Sequence, residues 1–139
     1  MNYLTFRVYG EPVPQGSKTA RAVGNKAVMW EANPRSREWR EQISQAAWQA
    51  SEGNTWDEAV EVMAVFYLPK PKSVRRDHAT RTYDVDKLCR NLLDAIGGAK
   101  SVTSVIANDS LVVDLYARKV WANEANPPGV WVYVRPLGE

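Results

Sequence analysis

Tyr83-Asp84-Val85-Asp86-Lys87-Leu88-Cys89-Arg90-Asn91-Leu92-Leu93-Asp94-Ala95-Ile96, followed by Gly97-Gly98, is the stretch on which the architecture turns. Val85, Leu88, Leu92 and Ile96 recur at helical spacing, Cys89 and Leu93 widen the apolar stripe, and the two glycines form a C-terminal stop. The helix therefore starts near Asp84, with Asp84 at or just before the N-cap and Asp86 in the first turn. One short run of backbone holds the two carboxylates close together. Ordinary helix chemistry accounts for both. Asp is a preferred N-cap, first-turn acids are stabilised by the helix dipole, and Asp86, Arg90 and Asp94 at four-residue spacing read as a surface ion-pair ladder. A metal site is the other reading. Clustered carboxylates repel unless a cation lies between them, and Mg²⁺ takes oxygen ligands from one or two carboxylates together with water and phosphate. Downstream, Asn108-Asp109-Ser110-Leu111-Val112-Val113-Asp114 runs into a strand. There Asp109 reads either as a third acid of such a site or as the acid of an Asn-Asp-Ser turn.

Outward from this helix the pattern changes to period two. Ala59 to Leu68 is apolar on both faces, with Val60, Val62, Ala64, Phe66 and Leu68 on one and Met63, Val65 and Tyr67 on the other, as expected of a strand central in its sheet. Leu111 to Trp121 reads as a strand with Leu111, Val113, Leu115 and Ala117 inward and Asp114, Tyr116 and Arg118 outward. Asn126-Pro127-Pro128-Gly129 is a turn, and Val130, Val132 and Val134 mark the last strand. At the other end, Leu4, Phe6 and Val8 alternate with Thr5 and Arg7 in a first strand that Pro12, Pro14 and Gly16 end. The stretch with Lys18, Arg21 and Lys26 reads as a flexible basic loop, and Ala27 to Trp30 as a short strand. Asn33-Pro34 starts a helix whose stripe is Trp39, Ile43, Ala46, Ala47 and Ala50, stopping near Gly53-Asn54. Its tryptophans read as core or subunit interface. The expected fold is α/β (α+β), a single small domain over residues 1–139, with a mixed sheet of about five strands and two main helices packed on it.

The 139 residues are 45% hydrophobic, enough for one core. No run approaches the roughly 20 apolar residues of a membrane span, and the N-terminus lacks a signal-peptide layout, so the expected location is cytoplasmic. Cys89 is the one cysteine, which excludes an intrachain disulfide and a cysteine-based zinc cluster; on the apolar side of its helix it reads as buried filler. The net charge of +2 identifies no partner, but its distribution does more. Lys70, Lys72, Arg75, Arg76 and Arg81 crowd the segment immediately before Asp84. A basic loop feeding a carboxylate cluster suits a polyanionic substrate held by a metal; a solvated loop with no ligand is the plainer alternative. His78 is assigned no role, and Asp94 is read as structural.

Taken together, Asp84-x-Asp86-x-Leu88-x-Arg90-x-x-x-Asp94-Ala95-Ile96 and Asn108-Asp109-x-x-Val112-Val113-Asp114 resemble the core of the RusA-type Holliday-junction resolvases and their phage-encoded relatives. Gly10-Glu11-Pro12-Val13-Pro14-Gln15-Gly16-Ser17-Lys18 is similar to the first loop of phage members. The resemblance implies metal-binding acids at Asp84, Asp86 and Asp109; Asp114, five residues beyond Asp109 on the less apolar face of its strand, reads either as a second-rank member of that site or as an outward strand acid with no function. The family's essential lysine falls on Arg90, a departure. Arginine keeps the charge and grips phosphate with two donors but cannot act as a base, so neighbouring Lys87 stands in reserve. The resemblance further implies a Mg²⁺-dependent endonuclease, Mn²⁺ substituting, that cuts four-way DNA junctions as a homodimer in recombination and repair. Lys18, Arg21, Lys26, Lys70, Lys72, Arg75, Arg76 and Arg81 would contact phosphates. A bacterial, phage or prophage setting rests on the resemblance alone. Rival expectations are a non-catalytic protein that binds branched DNA and a metal nuclease acting on flaps or forks.

Overall fold

A computed structural model describes residues 2–16, 18–24, 26–31, 34–98 and 104–138. In chain order the elements are β1 (Leu4–Tyr9), β2 (Lys18–Val23), β3 (Lys26–Glu31), α1 (Pro34–Ser51), β4 (Val60–Leu68), α2 (Val85–Gly97), a 3₁₀ turn at Asp109–Leu111, β5 (Val112–Trp121) and β6 (Gly129–Pro136). The main sheet has four strands in the order β1-β6-β4-β5. β6 pairs antiparallel with both β1 and β4, while β4 and β5 are parallel. A parallel pair needs a crossover connection, and α2 supplies it, so the site helix is part of a βαβ unit.

The apolar alternation explains the packing. Val60, Val62, Ala64, Phe66 and Leu68 of β4 are fully buried, flanked by Val130, Val132 and Val134 of β6 and by Leu4, Phe6 and Val8 of β1. Trp39, Ile43 and Ala47 of α1 and Leu88, Leu92 and Ile96 of α2 close over them in one core cluster. Burying each large side chain contributes about 1.5–3 kcal/mol, which is what holds both helices to this one face of the sheet.

Two expectations are corrected. The stretch from Lys18 to Lys26 is not a loop: β2 pairs antiparallel with β3, from Lys18↔Glu31 to Val23↔Lys26, as a separate two-stranded sheet. The pairing is closed by Gly24, whose φ of +62° suits a tight hairpin turn. Its basic residues and lack of a long apolar run hid the strand. The main sheet accordingly has four strands where about five were expected, because β3 pairs outside it.

The second correction concerns β5. A register shift between Val60 and Glu61 and its place at the sheet edge leave Val113 59% and Leu115 44% exposed. The residues of β5 that pack on the core are Val112, Ala117 and Trp121.

The turn before β6 demands its glycine. Gly129 has φ +158°, and a Cβ there would lie 2.2 Å from the Val8 carbonyl oxygen across the β1–β6 pair. Gly129→Ala is expected to lower stability by about 1–3 kcal/mol, read as a fall in the urea midpoint.

Candidate functional site

The start of α2 is the best-built cluster of titratable groups. Asp84 is the N-cap, with extended φ −70° and ψ 136°, yet its side chain makes no capping hydrogen bond. The carboxylate is 69% exposed, and its charged neighbour is the Lys87 ammonium at 3.8 Å. Asp86, one residue into the helix, is also exposed. Among the described residues no ion pair joins Arg90 to Asp86 or Asp94, so the ladder suggested by their spacing does not form. Arg90 is exposed, one turn beyond Asp86.

Three contacts hold this helix start in place. Lys119 Nζ, half-buried on β5, donates to the Tyr83 carbonyl at 2.7 Å. The Tyr83 hydroxyl donates to Glu11 at 3.4 Å, and Glu11 is paired with Arg35 of α1 at the same distance. Burial first, and then the Glu11 charge, push the Tyr83 phenol above its usual range. The loop after β1 docks on the helix through Gln15 N–H, which donates to the Lys87 carbonyl at 3.0 Å.

Asn91 clamps the same loop from below. It is fully buried. Its amide donates to the Val13 carbonyl at 3.0 Å and the Ser36 carbonyl at 3.1 Å, and its oxygen accepts from Arg40 Nη1 at 3.0 Å. One side chain thus ties the first loop, α1 and α2 together. Asn91→Ala orphans two buried carbonyls, and we expect it to cost about 2–4 kcal/mol, measured by denaturant unfolding.

The basic segment wraps the same end of the molecule. Lys70, Lys72, Arg75, Arg76 and Arg81 are all exposed, while Val74 and Ala79 are buried and pin the loop down. Trp121 Nε1, at the end of β5, donates to the Arg76 carbonyl at 3.0 Å. His78 is exposed. Lys18, Arg21 and Lys26 lie on the backbone of the β2–β3 hairpin, which begins just beyond the loop docked on Lys87.

Asp109 lies elsewhere in the chain. Asn108 caps its 3₁₀ turn, accepting from Ser110 N–H at 2.8 Å. A Cβ on Gly97 would stand 2.9 Å from the Asp109 nitrogen, so the turn abuts the C-terminal end of α2. With a rise of about 1.5 Å per residue, that is roughly 16 Å along the axis from Asp86. Consistently, no group of three or more His, Cys, Asp or Glu among the described residues is placed to hold one metal ion. Asp114 is in register with Glu61, and its charge acts on Arg135, so it belongs to the other face of the sheet. One chain therefore brings Asp84, Asp86, Lys87 and the basic loop together, and leaves Asp109 and Asp114 apart from them.

Cys89 is buried beside this cluster. Burial, with a smaller contribution from the Asp86 charge, raises its thiol from the usual 9.0 to about 11. A folded-state value above the unfolded one contributes stability that is present below about pH 9 and lost as pH rises toward 11. The native thiol is expected to resist iodoacetamide at pH 8 and to react on unfolding.

Lys119 and Asn91 are the positioning residues that sequence reasoning passed over. Each carries a signal. Lys119 continues the phase of Leu115 and Ala117, so a charge sits at an inward strand position; Asn91 interrupts an apolar helix face between Leu88 and Leu92.

Among the described residues no helix is long and apolar enough to cross a membrane. No curated protein matches the chain. A sequence model of the family described as Endodeoxyribonuclease RusA matches residues 9–135, a span that includes both acidic segments, the basic loop and the first loop. With nearly the whole fold and the α2 cluster inside that match, the chain belongs to the RusA family of endodeoxyribonucleases, the Holliday-junction resolvases.

Proposed function

We propose that this protein is a Mg²⁺-dependent, structure-specific endonuclease that resolves four-way DNA junctions by paired, symmetric incision as a homodimer. The observation that carries the reading is an N-cap aspartate that does not cap. The Asp84 carboxylate makes no capping bond, stays 69% exposed and faces the Lys87 ammonium at 3.8 Å, at a helix start that follows directly on the basic loop. Two exposed carboxylates fit a hard divalent ion, because Mg²⁺ needs only one or two from the protein when phosphate and water complete its shell. Asp84 and Asp86 would hold it. When bound, it supplies an acidified water and charge neutralisation at the phosphoryl oxygens. Lys87, already within 3.8 Å of Asp84, and Arg90 would add positive charge where the transition state accumulates negative charge. The loop cations would grip the DNA backbone, so binding should weaken steeply with salt.

The third acid implies a second copy. β5 runs opposite to α2: Lys119 near its end reaches Tyr83 at the helix start, and Asp109 just before it abuts the helix end at Gly97. β5 is also an edge strand of ten residues with Val113, Leu115 and Tyr116 exposed, a ready template for another strand. Two such edges paired antiparallel about a two-fold axis set the start of one β5 against the end of the other. That carries Asp109 of the partner subunit toward Asp84 and Asp86, and it gives the two equivalent sites that symmetric cutting requires.

The test is incision of a labelled synthetic four-way junction with and without Mg²⁺, against flap, fork and linear duplex of equal length. Paired symmetric nicks that need the metal and favour the four-way junction support the reading. Preferred cutting of flaps or forks would overturn its substrate, and tight binding with no nicks in Mg²⁺ or Mn²⁺ would overturn catalysis.

A further inference from the structure

The face of the main sheet turned away from the helices is built from rings and arginines. Cross-strand register places Arg7, Trp131, Val65 and Arg118 in one row across all four strands, and Tyr9, Gly129, Tyr67 and Val120 in the next. Tyr9 is 65% exposed. The Arg7 guanidinium lies 4.9 Å from the Tyr9 ring centroid and 4.5 Å from that of Tyr67, filling the space that Gly129 leaves between the two rings. Trp131 stacks on Tyr133, with centroids 6.3 Å apart, and Tyr133 on Tyr3 at 5.6 Å.

Charge on this face is graded. Arg7 and Arg118 have no acidic partner among the described residues, whereas the acids Glu61 and Asp114 sit two rows away around Arg135. The end with the arginine row is also the end where β4 passes through Leu68 into the basic loop at Lys70, and where β5 finishes at Trp121, bonded to that loop. The exposed Tyr9 ring and the exposed Arg118, with Arg7 held between Tyr9 and Tyr67 and donating from Nη2 to the Pro127 carbonyl at 2.8 Å, match the chemistry of unpaired nucleotides, whose bases stack on aromatic faces while their phosphates seek cations.

We infer that this open face, at its Tyr9–Arg7–Tyr67–Arg118 end, is a stacking platform for an unpaired DNA strand leaving the α2 site. The inference rests on the endonuclease reading only for the source of that strand, the unstacked bases of a branched substrate. It adds a second interaction surface to the basic loop ahead of α2.

The test is fluorescence anisotropy of a labelled oligothymidine with wild type, Tyr9→Ala, Tyr9→Phe and Arg118→Ala, with binding and incision of a fully paired four-way junction measured alongside. Tyr9→Ala should weaken oligothymidine binding about tenfold, Tyr9→Phe should keep it because the ring remains, and Arg118→Ala should reduce its salt dependence. Incision of the paired junction should be unchanged in all three. Photocrosslinks from 5-iododeoxyuridine should map to β1 and β4. Oligothymidine binding by Tyr9→Ala equal to wild type overturns the platform, as do crosslinks confined to the basic loop. Loss of a wild-type dimer in Tyr9→Ala, seen by light scattering, would assign the face to a second copy and overturn it too. If wild type cuts no junction, the endonuclease reading fails, yet the oligothymidine arm still decides this one.

Discussion

Asp86→Asn is expected to abolish incision of a four-way junction, by on the order of a thousandfold or more, while junction binding stays within about twofold of wild type. The substitution keeps the side chain's size and removes its charge. Asp86 is exposed in the first turn of α2 and takes part in no ion pair among the described residues, so folding loses only a helix-dipole contribution of about 0.3–1 kcal/mol. In this proposal affinity resides in the lysines and arginines of the basic loop, which the change leaves alone. Catalysis has no such reserve, because an amide oxygen is a far weaker ligand for a hard cation than a carboxylate. The measurement is single-turnover cleavage with binding followed in parallel by gel shift. Near-normal cleavage by Asp86→Asn would remove the residue from the site, and loss of binding with cleavage would show that the variant had failed to fold.

Mixing two inactive variants is expected to restore activity. In the proposed dimer one site is composed of Asp84 and Asp86 from one copy and Asp109 of the partner subunit. An equal mixture of Asp86→Asn and Asp109→Asn, allowed to exchange subunits, then forms heterodimers in which one composite site carries both defects and the other carries none. Random pairing makes half the dimers heterodimers, so roughly a quarter of all sites should be intact. The product should be single nicks, since no dimer has two good sites. If each chain instead completed its own site, every site in the mixture would keep one defect and no activity would return. The geometry that motivates this is the helix itself, which holds Asp109 at Gly97 and Asp86 at the opposite end.

Much of the fold was legible in the residues because local rules and packing agree there. The stripe of α2, the Pro34 start of α1 and the valines of β4 and β6 each follow a single period and bury the side they predict. β5 broke its pattern for a tertiary reason. The register shift at Val60 takes Val113 out of phase with the buried residues of β4, and the lack of a neighbour beyond β5 leaves Leu115, opposite Val62, 44% exposed. β3 contains the short Ala27–Trp30 strand that its apolar run predicts, whereas β2 reads as a loop because backbone pairing forms that strand without an apolar run.

For the site, spacing alone put Asp84 at the N-cap of α2 and Asp86 in its first turn, which is where the structure has them. It also put the basic loop immediately ahead of them in the chain, with Arg81 three residues before Asp84. What the tertiary structure alone decided is everything joined across the sequence. That includes the Asn91 clamp on the first loop and the Lys119 bond to Tyr83. It also includes the position of Asp109, twelve residues beyond Gly97 and packed against it, which separates the third acid from the first two. Sequence distance says little about where a chain returns after a helix. The rise of α2 and the direction of β5 set that, and they put the acids of a motif that reads as one cluster at opposite ends of one helix.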